Sequence, residues 1–272
     1  MDAMIFAAGL GTRLKPLTNY LPKALVQING MTLLEHNVKK MCSYGIKRII
    51  VNVHHFPDMI IQHIDYLSKK YDCKIDISDE RDELLDTGGG LLKAVKNFFN
   101  IPEIKCDFAE LKCNINQIKC DINSLKCDIN SAERNKHALL LHNVDILSDI
   151  DFTAMEKEFY NSDATALLAV KKRESSRYLI FNEEKRLSGW ENTSLNKKII
   201  TVTSKEENRF AFSGVHIIDI NLLQQVKQRG KFSVTDMYLS LSADNVIKPY
   251  IRDGLWIDAG RTEDLKKAEE LF

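Results

Sequence analysis

Apolar and polar positions along this chain switch repeatedly between two periods. Ala3 to Ala8 is a continuous apolar run, which predicts a strand buried on both faces. Thr32-Leu-Leu-Glu35 is a capping-box signal for a helix that ends near Gly45. "RIIVNV", from Arg48 to Val53, is β-branched and predicts a second strand. Ile60, Ile61, Ile64 and Leu67 then recur on one face of a helix that Asp58 is expected to cap. "KIDIS" predicts a third strand, and "TGGG" is expected as a turn leading into a helix through Phe99. Further on, "ALLLHNVDI" and "ATALLAV" predict strands around a short helix. "YLIFNEEKRLSGW" and "RFAFSGVHIID" look hairpin-like, "VTDMYLSL" looks helical, and Thr262 is expected to cap a final helix. Strand and helix in alternation with short joins predict an α/β fold. Its expected form is a Rossmann-like, mixed but mostly parallel sheet with helices on both faces, in a single domain over residues 1–272.

One segment breaks the alternation. In residues 104–130, Ile104, Leu111, Ile118 and Leu125 recur every seven residues, and Phe108, Ile115, Ile122 and Ile129 follow four after each. This is an a/d heptad pattern, predicting an inserted helix that would extend ~40 Å at 1.5 Å per residue. Cys106, Cys113, Cys120 and Cys127 fall on the side away from the apolar seam. Their spacing of ~10 Å along a helix is too wide for a shared metal ion or a disulfide between neighbours. The insert either joins subunits into a homo-oligomer through a coiled coil or is a tolerated helical pin.

Composition adds exclusions rather than a function. The 272 residues are 44% hydrophobic and carry 38 basic against 38 acidic side chains, so no global field favours nucleic acid or a membrane surface. No apolar stretch approaches the ~20 residues that span a bilayer. Six cysteines without a CxxC spacing, and no signal-peptide pattern after Met1, suit a reducing cytoplasm.

The candidate chemistry lies just after the first strand. Gly9-Leu10-Gly11-Thr12-Arg13-Leu14 lacks the third glycine of a dinucleotide fingerprint, and no acidic residue ends the next strand. No Gly-Lys-Ser/Thr occurs, so it is not a P-loop either. What remains is a glycine turn that lets backbone N–H groups approach a phosphate chain, with Arg13 and Lys23 to neutralise it. Asp145 ends "LLLHNVD" and Asp258 ends the strand-like part of "LWIDAG". Two carboxylates at strand ends suit a shared Mg²⁺ that also takes phosphate oxygens.

"FAAGLGTRLKPLTNYLPK", Phe6 to Lys23, resembles the opening motif of the sugar-1-phosphate nucleotidyltransferases, the nucleotide-sugar pyrophosphorylases. "NVD" at 143–145, "WIDAG" at 256–260, "DTGGG" at 86–90, "FSGVHIID" at 212–219 and "KFSVTDMYL" at 231–239 match further family segments. Val144 stands where the family has glycine, and Ala24 where proline is common. The resemblance implies transfer of a nucleotidyl group from a nucleoside triphosphate to a sugar 1-phosphate, releasing pyrophosphate. It implies nucleotide contacts from Ala8, Gly9, Gly11, Thr12, Arg13, Glu80 and Gly88. Lys23 and Gly214 would serve the sugar phosphate, Arg13 and Lys23 catalysis, and Asp145 and Asp258 the metal. The compact form resembles the mannose- and heptose-1-phosphate guanylyltransferases, with cell-envelope polysaccharide precursors as the expected products. The alternatives are N-acetylmuramate-1-phosphate uridylyltransferases and a non-catalytic nucleotide-binding homologue. The histidines and the two tryptophans are expected to pack rather than to react.

Overall fold

The computed structural model describes residues 1–99 and 136–272. The heptad segment 104–130, with its expected helix, oligomer contact and cysteine array, lies outside the described residues. The first half runs β1 (Asp2–Phe6), the ribbon β2 (Gln27–Ile28) and β3 (Met31–Thr32), α1 (Leu33–Ser43), β4 (Arg48–Val53), α2 (Pro57–Lys70), β5 (Lys74–Asp79) and α3 (Asp86–Phe98). Next come β6 (Ala138–Asn143), β7 (Ile146–Ser148), α4 (Phe152–Asn161), β8 (Ala166–Lys171), β9 (Arg177–Phe181), β10 (Leu187–Asn192) and β11 (Lys197–Ile200). The chain ends with β12 (Asn208–Asp219), α5 (Val234–Leu241), β13 (Ile247–Ile251), β14 (Trp256–Asp258) and α6 (Thr262–Leu271).

The main sheet has the order β11-β10-β9-β12-β6-β1-β4-β5, with β8 beside β12 and β13 beside β8. β5, β4, β1 and β6 are parallel, whereas β12 runs antiparallel to β6, β8 and β9. The continuous apolar runs are explained by burial on both faces. Ala3 and Ile5 join one core with α1, α2 and α4, while Met4 and Phe6 join a second core with α3 and α5. β4 divides in the same way, Ile49, Val51 and Val53 against Ile50. On α2, Ile60, Ile64 and Leu67 are the buried face, as their spacing implies.

Thr32 caps α1 as expected, its Oγ1 accepting the Glu35 N–H at 3.0 Å. Other ends differ from the sequence reading. Pro57 takes the first helical position of α2, where its missing N–H costs nothing, so Asp58 follows inside the first turn and Phe56 stands at the cap. Thr262 is likewise the first residue of α6, after Arg261 at the cap. "RFAFSGVHIID" belongs to one long strand, β12, whose register against β8 shifts between Phe212 and His216. Gly214, with φ +73°, lies at that shift.

The glycines of "DTGGG" are inside α3 rather than in a turn before it. A Cβ on Gly88 would lie 2.4 Å from the Phe232 ring, and one on Gly90 would lie 2.5 Å from Glu80 Oε1. The helix therefore needs a side-chain-free face to settle against the 230–233 segment and the end of β5. Gly88→Ala is expected to lower stability by about 1–3 kcal/mol through overpacking, read by urea unfolding. Wild-type stability in that variant would mean that Phe232 can swing clear.

Candidate active site

β1 delivers the chain to the glycine turn at the carboxyl edge of the parallel strands, where open α/β sheets bind ligands. The turn is anchored from beneath. Asn52, buried in the penultimate position of β4, accepts the Ala7 N–H at 2.8 Å and the Ala8 N–H at 3.4 Å through Oδ1. Its Nδ2 donates to Glu80 Oε1 at 2.7 Å. Glu80 is fully buried, and its other oxygen accepts the Leu85 N–H at 3.4 Å. Burial holds the Glu80 carboxyl above the usual carboxylate range despite those two donors. Beyond this anchor, Gly9 and Thr12 are exposed and Gly11 is half-buried, with the Thr18 hydroxyl donating to the Gly11 carbonyl at 2.8 Å.

The two cations and two carboxylates singled out in the sequence meet at one place. Arg13 Nη1 lies 3.0 Å from Asp258 Oδ2, and its Nη2 lies 3.4 Å from Asp145 Oδ2. Lys23 Nζ donates to the same Asp145 oxygen at 2.9 Å. β14 pairs with β7, and the Ala259 N–H donates to the Asp145 carbonyl at 2.8 Å, which ties the two acidic loops together. Asp145 is only 4% exposed. Burial by itself raises its carboxyl, but Lys23 and then Arg13 outweigh burial and hold it below the usual range. Burial opposes the charge on Arg13 too, and the hydrogen bond and charge of Asp258 reverse that into a raised value. Asp145 is thus already answered by two cations, and Asp258 by Arg13.

The carboxylates also converge on one point, which they share with the Arg13 guanidinium. Asp145 Oδ2, Asp258 Oδ1 and Arg13 Nη2 lie 2.6, 2.7 and 2.7 Å from the position that a Cβ on Gly260 would occupy. Two hard oxygens around a cradle of that size fit Mg²⁺, which takes one or two carboxylates and completes its shell with water and phosphate oxygens. Among the described residues no group of three or more His, Cys, Asp or Glu converges, so an all-protein cage is not what this cradle offers.

A cavity of about 950 Å³ opens beside the cluster, lined by Arg13, Asp258, Asn143 and Gly214 among others. Gly214 therefore lines the same cavity as Arg13. Gly88 does not: it is buried, and its N–H donates to the Phe232 carbonyl at 2.9 Å. Glu80 touches the glycine turn only through Asn52. His142 and His216 are fully buried, pushed down to about 3 mainly by burial, and so are neutral packing residues. Sequence reasoning passed over Asn52, whose signal was one amide in an otherwise apolar strand. It also passed over Arg173, and it treated Trp190 and Trp256 as core, although all three line the cavity.

The carboxyl edge of the α/β sheet thus carries a glycine turn, two converging cations and a carboxylate pair. The nucleotidyl transferase family model matches residues 2–107. N-acetylmuramate alpha-1-phosphate uridylyltransferase of Caulobacter vibrioides is 44% identical over 94 residues, covering 34% of this chain and 39% of that protein. Mannose-1-phosphate guanyltransferase of Aspergillus oryzae is 22% identical over 274 residues, covering 100% of this chain and 64% of that protein. The chain thus spans less than two thirds of the length of these relatives. Among solved structures, HddC from Yersinia pseudotuberculosis superposes with a TM-score of 0.67 at 20% identity, covering 100% of this chain and 99% of that one. Residues 2–107 are thus similar to the nucleotidyl transferase family, and the solved structures show that the whole chain shares their fold.

Proposed function

We propose that this chain transfers a nucleotidyl group from a nucleoside triphosphate to a sugar 1-phosphate, giving a nucleoside-diphosphate sugar and pyrophosphate. The observation that carries the reading is the contact of Arg13 and Lys23 with Asp145 and Asp258 at the rim of the 950 Å³ cavity. A sugar-phosphate oxygen attacks the α-phosphorus in line, and the reaction gains most from positioning and charge neutralisation. The Ala8–Thr12 turn offers backbone N–H groups to the triphosphate. Arg13, half exposed and aimed across the turn, neutralises the departing pyrophosphate. Lys23, nearly buried, sits where the α-phosphate and the incoming sugar phosphate meet and cancels charge on both. Asp145 and Asp258 would hold Mg²⁺, which supplies Lewis-acid stabilisation of developing phosphate charge. A phosphate monoester needs no base to take its proton, in keeping with neutral, buried His142 and His216. Glu80 fixes the floor of the nucleotide turn through Asn52, and Gly88 keeps α3 seated beside it.

A guanylyl donor is supported by the likeness to mannose-1-phosphate guanyltransferases along the whole of this chain, and a uridylyl donor by the higher identity to the Caulobacter protein over 94 residues. The test is pyrophosphate release measured across four triphosphates and a panel of sugar 1-phosphates with Mg²⁺. Turnover confined to one triphosphate and one sugar class is the expected result. Nucleotide binding without release from any pair would reduce the chain to a nucleotide-binding homologue. No helix among the described residues is long and apolar enough to cross a membrane.

A further inference from the structure

Within the cavity two cations are left without an ion pair among the described residues. Arg13 is matched by two carboxylates, and Arg261 lies 3.4 Å from Glu263. Arg173 has no such partner among the described residues. Its guanidinium stacks over the Trp256 ring, 4.2 Å from the centroid, and reaches the Phe212 carbonyl at 3.4 Å and the Glu174 carbonyl at 3.3 Å. Its Nε is buried and makes no hydrogen bond. Burial works against its charge, and neither Glu174 nor Asp264, which also line the cavity, forms an ion pair with it. Arg177 lines the same wall, and its guanidinium too has no ion pair among the described residues. A half-buried guanidinium held over an indole, with no carboxylate paired to it, is costly to keep charged unless an anionic ligand answers it.

The sugar 1-phosphate already has Lys23 and Arg13. Arg173 is held instead over Trp256, two residues before Asp258 in the chain. We propose that the acceptor carries a second anionic group, a carboxylate or a phosphate ester on the sugar, and that Arg173, with Arg177 beside it, binds that group. The inference rests on the nucleotidyl-transfer reading for the identity of the acceptor site. A planar guanidinium matches a carboxylate or phosphate through two parallel N–H donors, and the indole beneath it holds it at the cavity wall.

The test pairs neutral with acidic acceptors: a hexose 1-phosphate against the uronic acid 1-phosphate and the 1,6-bisphosphate, and an N-acetylhexosamine 1-phosphate against its 3-O-carboxyalkyl ether. Affinity of the full chain for each is read by calorimetry, and kcat/KM by pyrophosphate release. At least one acidic acceptor is expected to be preferred over its neutral counterpart by about 10- to 100-fold, the scale of one hydrogen-bonded charge pair. The panel separates carboxylate from phosphate and one position on the sugar from another. Arg173→Gln should reduce that preference about tenfold or more, with Arg173→Lys restoring part of it. Arg177→Gln, at an exposed position, gives an independent reading if the Arg173 variants do not fold. Equal affinity for neutral and acidic members of every pair would overturn the proposal, as would an Arg173→Gln loss that is the same for both. Calorimetric preference without turnover by any triphosphate would instead overturn the function proposed above and leave the anion site standing.

Discussion

Replacing Lys23 by alanine is expected to lower kcat about 100-fold or more, with a much smaller change in the KM for the triphosphate. Lys23 is the nearly buried cation of the cluster, and its Nζ lies 3.7 Å from the position of a Cβ on Gly9, at the lip of the nucleotide turn. A fixed cation at that depth acts on charge that develops between the two substrates, and loss of one preorganised donor of this kind costs about 3 kcal/mol in the barrier. The variant also strips Asp145 of its shorter ion pair, so thermal unfolding must be measured alongside. Arg13 remains 3.4 Å from the same oxygen, which should keep the fold intact. A folded Lys23→Ala protein with wild-type turnover would sink the catalytic assignment.

The second large effect is expected at the carboxylates. Asp145→Asn and Asp258→Asn should each reduce turnover by about 100-fold or more and shift its Mg²⁺ dependence to higher concentration, because both oxygens face the same cradle. The two variants should differ in stability. Asp258 is 28% exposed at its side chain, and its neutral form costs little. Asp145 is buried against Lys23, so its amide leaves a poorly matched cation and should cost about 1–3 kcal/mol. Kinetics over a Mg²⁺ titration decide the matter: an unchanged metal dependence in either variant removes that residue from the ligand set.

The parts of the molecule that could be seen in the sequence are those set by local pattern. Ala3–Ala8 reads as a doubly buried strand because no polar residue interrupts it, and the two cores that share β1 bear this out as far as Phe6, where the strand ends and Ala7 and Ala8 begin the turn. The cations of the opening motif and the two strand-end aspartates were visible because charged residues beside glycine turns and at strand ends have few packing roles. What pattern could not show is what depends on distant partners. The fully buried Glu80 stands in the charged run "SDERDE", where nothing local marks it for burial, and only the approach of Asn52 and the bare face of α3 gives its carboxylate a place. Arg173 follows two lysines in a run of charges, and nothing local distinguishes the side chain that turns inward onto Trp256. The glycines of α3 suggested a turn because glycine weakens helices, but close contact with Phe232 outweighs that preference.

The pairing of Arg13 and Lys23 with Asp145 and Asp258 also bears on how the site discriminates in a crowded solution of anions and metal ions. A stray phosphate meets cations whose charge is already cancelled, and a lone divalent ion meets carboxylates in the same condition. Neither gains much alone. Arriving together, they exchange partners: phosphate takes the cations, the ion takes the carboxylates, and no charge is left bare. The site should therefore act as a coincidence detector, with triphosphate and Mg²⁺ each raising the other's affinity by the same factor. Calorimetric titration of each ligand with and without the other reads that factor directly, and independent binding would show that the resting ion pairs persist when substrate is bound.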